Sequence, residues 1–403
     1  MINVAVLGFG VVGSGTVEVL DKNSDRIEQS AGQAIRAKYI LDVRKFPGNP
    51  YSGLLTTDFE AIVDDPDVSV VVETIGGTTA AYEFTKRCLA AGKSVVTSNK
   101  ELVATRGCEM LALAAEKGVN YLFEASVGGG IPIIRPLAQC LSANKISEIY
   151  GILNGTTNYI LTEMEKNGAA FADALRDAQK KGYAELDPTA DIKGHDACRK
   201  LCILASLAFG KHVYPQHVTA EGIDCVAIED MQHASELGYR IKLLGRVRAI
   251  GDMMSAYVAP HLVSRENLLA SVDGVLNCVV IRGNAVGDVM FIGPGAGKMP
   301  TASAVVADVI DAVKHMNARK LIGWSEGSPD AVSDPMQLES AWYVRTSASR
   351  AKAEHEFGEV VFASAPGAPE TAFKTAVMSG MKVKEQLDRG IPAAALFRIL
   401  GDY

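Results

Sequence analysis

Short apolar runs alternate with helical patterns over residues 1–130, the arrangement of a parallel α/β sheet. Residues 2–7 (INVAVL) predict a first strand and 11–20 a helix. Residues 68–75 (VSVVVETI) are apolar throughout, as a strand covered on both faces should be. A helix over 82–91 stops at Gly92, a strand follows at 94–97, and a helix over 102–117 stops at Gly118 before a strand at 121–125. The second strand falls at 38–43.

The pattern changes at 126–132 (SVGGGIP), where the chain crosses into a second domain. Strands at 145–153, 253–263 and 275–282, with helices from Thr157, over 168–182 and over 195–209, make that domain α+β. Gly293–Gly297 opens a long helix over 302–315 that is expected to pack back on the first domain. From about 326 Ser, Ala, Pro and acidic residues mark a linker and a small appendage. The expected division is 1–130 with about 297–325, then 131–296, then 326–403.

Hydrophobic residues make up 48% and charged residues 22% of the 403, an ordinary globular balance. A net charge of −7 without a long Lys/Arg run argues against nucleic acid and anionic membranes. No apolar stretch approaches the roughly 20 residues that span a bilayer. The first residues lack the basic segment and cleavage site of a signal peptide. Seven scattered cysteines without a CxxC pair suit a reducing cytoplasm.

Gly8-Phe9-Gly10-Val11-Val12-Gly13 is a GxGxxG turn between strand and helix. The first glycine allows the tight turn, the second lets backbone approach a pyrophosphate, and the third lets the helix lie close on the sheet. The helix N-terminus adds free N–H groups and partial positive charge. Beyond the second strand, Arg44 and Lys45 suit a 2′-phosphate and favour NADP(H); Asp42 would favour NAD(H) if it faced the ribose.

Residues 178–200 (AQKKGYAELDPTADIKGHDACRK) crowd Glu185, Asp187, Asp191 and Asp196 into twelve positions. A helix beginning after Gly194 sets Asp196 and Lys200 four apart on one face. They could form a surface salt bridge, but the following LCILASLAF leads straight into a core, where an ion pair is costly or functional. Hydride transfer to an aldehyde needs a proton donor, which a lysine beside a carboxylate supplies. Spare carboxylates would hold an ammonium group. Residues 154–158 (NGTTN) either cap a helix at Thr157 or offer amide and hydroxyl groups to a substrate carboxylate.

This stretch resembles the signature of the homoserine dehydrogenase family at Ala178, Gly182, Tyr183, Asp187-Pro188, Asp191-Ile192, Gly194, Asp196 and Lys200. Residues 97–100 (TSNK), 124–132 (EASVGGGIP), 154–158 and 293–302 resemble further blocks, and the likeness spans roughly 1–325. It implies an N-terminal Rossmann domain, an α+β catalytic and dimerisation domain, and a short C-terminal ACT-like tail. It implies reduction of L-aspartate 4-semialdehyde to L-homoserine, a step towards threonine, methionine and isoleucine. By the same resemblance Lys200 is the general acid supported by Asp196, and Lys100 is a second active-site cation touching substrate or cofactor. Glu185, Asp187, Asn154 and Thr156 meet the substrate, and Thr74 and Gly293 join the cofactor site. Glu124 and the carbonyls of Val127, Gly129 and Ile131 hold a sodium ion, and the assembly is a homodimer or dimer of dimers. In the tail, strands at 341–346 and 359–363 and a helix over 370–387 are expected. The first helix and Pro-Gly-Val turn of an ACT domain are expected to be missing, since Pro366-Gly367 comes too late. The competing readings are a cofactor-sensing regulator without chemistry and another amino-acid dehydrogenase.

Overall fold

The computed structural model describes residues 1–403 except 319, 321, 365, 366, 368, 402 and 403. It divides into two compact units: residues 1–145, 202–215 and 293–328 form one, and residues 146–201, 216–292 and 329–403 the other. Among the described residues no helix is long and apolar enough to cross a membrane.

The first unit holds six parallel strands: β1 (Ile2–Leu7), β2 (Ile35–Leu41), β3 (Leu55–Thr56), β4 (Val68–Glu73), β5 (Ser94–Thr97) and β6 (Tyr121–Leu122). Their order is β3-β2-β1-β4-β5-β6. The order reverses beside β1, so a crevice opens at the carboxyl ends of β1 and β4. Helix α1 (Val11–Lys22) follows β1, and α2 (Lys100–Lys117) follows β5. The second strand is Ile35–Leu41, not 38–43, because its register with β1 runs from Ile2↔Ile35 to Leu7↔Leu41. Asp42 is therefore the first residue beyond the strand. Helix Lys298–Lys314 begins four residues earlier than the sequence predicts and buries Ala302, Val305 and Val309 against Val4, Val6 and Val72.

The second unit has nine strands along one sheet: β7 (Ile146–Ile152), β8 (Tyr239–Ile250), β9 (Met253–Ser264), β10 (Leu276–Gly283), β11 (Gly287–Pro294), β12 (Trp342–Thr346), β13 (Val360–Phe362), β14 (Thr371–Thr375) and β15 (Ala393–Ile399). Their order is β11-β10-β7-β8-β9-β15-β12-β14-β13, and two two-residue strands also pair with β9. Helix α3 (Gly155–Asn167) and residues 195–201, the start of helix α4 (His195–Phe209), carry the chemistry-bearing residues. Tyr150, Ile152, Leu244, Val263 and Val280 pack the core beneath the sheet.

Residues 342–399 run β12-α5-β13-β14-α6-β15, with α5 at Arg350–Phe357 and α6 at Gly380–Asp388. Two expectations fail here. The first helix is present, capped by the Ser349 side chain and buried only through Ala353 and Phe357. The expected helix over 370–387 is strand β14 followed by α6, because Thr371–Thr375 pairs with both β12 and β13. Gly380 is the first residue of α6, with Ser379 as its cap. Pro366 of the expected turn lies outside the described residues.

Candidate active site

The glycine turn is built by contacts that explain each glycine. Gly8 has φ +92°, and a Cβ there would stand 2.9 Å from the Thr74 carbonyl oxygen. A Cβ at Gly13 would run into the Gly8 carbonyl and lie 2.7 Å from Thr74 Oγ1. The Thr74 hydroxyl donates to the carbonyls of Leu7 (3.0 Å) and Gly8 (2.9 Å), so Thr74 holds the turn. Among the described residues only Arg44 Nη2 comes as near as 4.0 Å to a Cβ position at Gly10, which leaves that backbone open to a ligand. Gly10 precedes α1 without a side-chain cap, and Val11 is exposed.

Asp42 Oδ2 accepts from Phe9 N (2.7 Å) and Arg44 Nη2 (2.8 Å), and Oδ1 from Arg44 Nε (3.0 Å) and N (2.9 Å). The Arg44 pairing holds the Asp42 carboxyl far below the usual carboxylate range. Arg44 also lies 5.2 Å over the Phe46 ring, while Lys45 is exposed. At the ends of β4 and β5, Glu73 Oε1 accepts from Ile75 N (2.8 Å) and Gly76 N (3.2 Å), and Oε2 from the Thr97 hydroxyl (2.7 Å). Asn99 donates to Gly77 O (2.7 Å) and accepts from Leu102 N (3.1 Å), capping the helix that begins at Lys100. Glu73 and Asn99 thus place Lys100, a role the sequence did not reveal.

In the second unit, Lys200 and Asp196 are buried and paired at 2.8 Å. Lys200 Nζ also donates to Leu153 O (2.8 Å). Asn154 Nδ2 donates to Asp196 Oδ2 (2.9 Å) and Asp191 Oδ1 (2.7 Å), while its Oδ1 accepts from Thr157 N (2.8 Å). Asn154 is therefore the cap of α3, not Thr157. It ties that cap to the acidic loop and to the lysine pair. Gly245 faces Leu153, the residue whose carbonyl holds Lys200: a Cβ there would stand 2.7 Å from Leu153 Cδ1. The Thr156 hydroxyl donates to Tyr183 O (2.7 Å) and fixes the neighbouring loop. Asp187 Oδ1 closes a turn onto Thr189 N (3.1 Å) and hydroxyl (2.5 Å), and Glu185 is exposed. The Leu153 carbonyl leaves no side-chain signal, and Asp191, visible in the signature, carries a bond that spacing alone does not show.

The glycine-rich loop 127–131 packs on residues 293–297. Gly130 N donates to Pro294 O (3.0 Å), a Cβ at Gly129 would meet Gly295 at 2.5 Å, and one at Gly293 would meet Ile131 at 3.1 Å. Glu124 is buried, and its carboxylate accepts from three main-chain donors: Ile133 N (2.6 Å), Ile134 N (2.9 Å) and Arg135 N (2.8 Å). Nearby, Asp308 receives Glu124 N (2.7 Å) and Arg135 Nη2 (2.5 Å), and burial pushes its carboxyl up to about 7. Among the described residues no group of three or more His, Cys, Asp or Glu side chains is arranged to hold a metal ion.

These local arrangements coincide with recognised sequence families. The family described as homoserine dehydrogenase matches residues 132–310, and its NAD-binding domain matches residues 8–124. A homoserine dehydrogenase of Pseudomonas aeruginosa is 43% identical over 355 residues, covering 86% of this chain and 82% of that one. The crystal structure of a homoserine dehydrogenase from Thiobacillus denitrificans superposes with a TM-score of 0.88 at 37% identity, over 99% of this chain and 98% of that chain. A hyperthermophilic archaeal homoserine dehydrogenase in complex with NADPH aligns at TM-score 0.65 and 29% identity, over 77% of this chain and 97% of that chain. With a nucleotide-binding turn and a buried lysine pair in place, the chain belongs to the homoserine dehydrogenase family of oxidoreductases.

Proposed function

We propose that Lys200 is the proton donor as the aldehyde of L-aspartate 4-semialdehyde becomes the hydroxyl of L-homoserine. The observation that carries this reading is the ammonium itself. It has three N–H donors; one meets Asp196 and one the Leu153 carbonyl. The third serves the substrate oxygen. A bound nicotinamide supplies the hydride. As charge grows on the carbonyl oxygen, Lys200 Nζ stabilises it and then transfers its proton. In the reverse direction the same nitrogen accepts the proton. Asp196 orients Lys200, and Asn154 orients Asp196. Lys100 supplies a second cation, Glu185 and Asp187 hold the substrate ammonium, and Thr156 shapes the surrounding loop. An absorbance assay with aspartate semialdehyde and each cofactor tests the substrate. Turnover of a different aldehyde or oxo acid, without turnover of this one, would overturn it.

We infer that NADPH is preferred over NADH. Support comes from Asp42, whose two oxygens are engaged by Arg44 and Phe9 N, and from Arg44 beside the open Gly10 backbone. The archaeal relative bound to NADPH points the same way. Arg44→Ala should raise KM for NADPH about tenfold, the scale of one charge-assisted hydrogen bond, and leave KM for NADH nearly unchanged. Strong preference of the intact enzyme for NADH would reverse the assignment.

A structural sodium ion is proposed on the main-chain carbonyls of Val127, Gly129 and Ile131, since hard cations take oxygen ligands. The Glu124 carboxylate fits poorly as a side-chain ligand, because both oxygens already accept N–H bonds. A homodimer built through the second unit is inferred from the family, and solution mass measurement tests it. Residues 342–399, with their βαββαβ order, are proposed as an ACT-like module. The tail contains no Pro-Gly-Val, so threonine near physiological concentration is expected to inhibit weakly or not at all. Initial rates titrated with threonine check this, and strong inhibition would make the tail a working sensor.

A further inference from the structure

Glu73 ends β4 and Thr97 ends β5, and neither has any exposed surface, so both act through their neighbours. Each Glu73 oxygen serves a different segment. Oε1 takes the two N–H groups that open the turn 75–77, and Oε2 takes the Thr97 hydroxyl. Thr97 Oγ1 in turn accepts from Asn99 N (2.9 Å). Asn99 closes the circuit. Its amide donates to Gly77 O at the far end of the turn, and its Oδ1 caps the helix that opens at Lys100. A buried carboxylate is costly unless its lone pairs are met, and three donors meet them here. Burial pushes the Glu73 carboxyl up, and those donors, the Thr97 hydroxyl first, hold it back.

The turn lies where a dinucleotide arrives. Ile75 N would stand 3.1 Å from a Cβ on Gly8, so the turn packs directly on the glycine loop. Gly76 and Gly77 hold φ of +84° and +69°, and the Ile75 side chain is partly exposed. Carboxyl ends of strands at an order reversal are where doubly wound sheets bind their ligands. One side of the hydrogen-bonded circuit thus borders the cofactor crevice, and the other carries Lys100.

We propose that Glu73 and Thr97 are positioning residues that couple cofactor binding to the placement of Lys100. Cofactor seated against residues 75–77 fixes the N–H groups that Oε1 holds. The carboxylate is planar, so fixing one oxygen fixes the other. Oε2 then holds the Thr97 hydroxyl, whose oxygen orients Asn99 N and the first turn of α2. Hydrogen bonds in such a chain strengthen one another. The coupling rests on the reaction proposed above, in which Lys100 is the second cation.

Calorimetric titration of the full chain with NADPH, alone and with saturating L-homoserine, reads the coupling, since these two cannot react together. Homoserine should tighten NADPH by about fivefold or more, the lower end of coupling between two sites. Thr97→Val removes the hydroxyl at nearly constant volume. It should bring that factor to about one while NADPH alone binds nearly as before. Thr97→Ser keeps the hydroxyl and should keep the coupling. Glu73→Gln, the second variant should Thr97→Val fail to fold, should also lower the factor. Tyr121→Phe is the control: the Tyr121 hydroxyl is buried without a partner among the described residues, so its loss should leave the factor unchanged. A factor unaltered in Thr97→Val and Glu73→Gln overturns the proposal, as does a wild-type factor of one. Turnover of aspartate semialdehyde by a wild type with no coupling removes the coupling and leaves the reaction standing. Absence of both turnover and homoserine binding removes the two together.

Discussion

Lys200→Ala is expected to lower turnover by about 10² to 10⁴, the range of positioned acid–base catalysis, with little change in cofactor binding. Its ammonium is fixed by two bonds, to Asp196 and Leu153 O, at the head of a helix whose next residues, Leu201 to Ala205, are fully buried. Asp196→Ala should also lower turnover, since both Lys200 and Asn154 lose the same carboxylate oxygen, Oδ2. The double variant should lose little more than the worse single one, because the residues act as a unit. Arg199→Ala, one residue away on another helix face, is the control and should do much less. Steady-state kinetics on folded protein decide the matter. Near-normal turnover in Lys200→Ala would move the role to Lys100.

Glu124→Ala should destabilise the protein by about 4 kcal/mol, since buried donors left unmet cost roughly 1–3 kcal/mol each. Three main-chain N–H groups, of Ile133, Ile134 and Arg135, converge on this one carboxylate. Denaturant unfolding with and without sodium chloride reads the loss. Salt at moderate concentration should not restore the midpoint, because the missing acceptors are inside the fold. Recovery specific to sodium over potassium would instead make the Glu124 side chain a cation ligand.

The sequence reports best where chemistry is local. GxGxxG sets strand, turn and helix within thirteen residues, and contacts at Gly8 and Gly13 are those its spacing implies. The Asp196–Lys200 pair is legible for the same reason, as one helical turn brings the two together. Lys200's second partner is a backbone carbonyl 47 residues away, which no side-chain pattern announces. In the tail, helix 350–357 (RAKAEHEF) buries only Ala353 and Phe357, so it has almost no apolar face to read. Thr371–Thr375 reads as an extension of the helical stretch that follows. Pairing with strands on both sides decides otherwise, an instance of tertiary context overriding local preference.

The outer edge of β9, paired in turn with residues 332–333, 219–220 and 398–399, bears on how the chain is made. Twelve residues of strand present peptide groups that two of the three covering segments, 332–333 and 398–399, reach only from far downstream. At about 5–20 residues per second, ribosomal synthesis from residue 264 to 399 takes on the order of ten seconds. Until residues 332–333 are made only residues 219–220 can pair along that edge, so most of it stands open as a template for another nascent chain. Once residue 399 is in place the sheet on that side ends instead at β13, three residues long, an edge too short to recruit a neighbour.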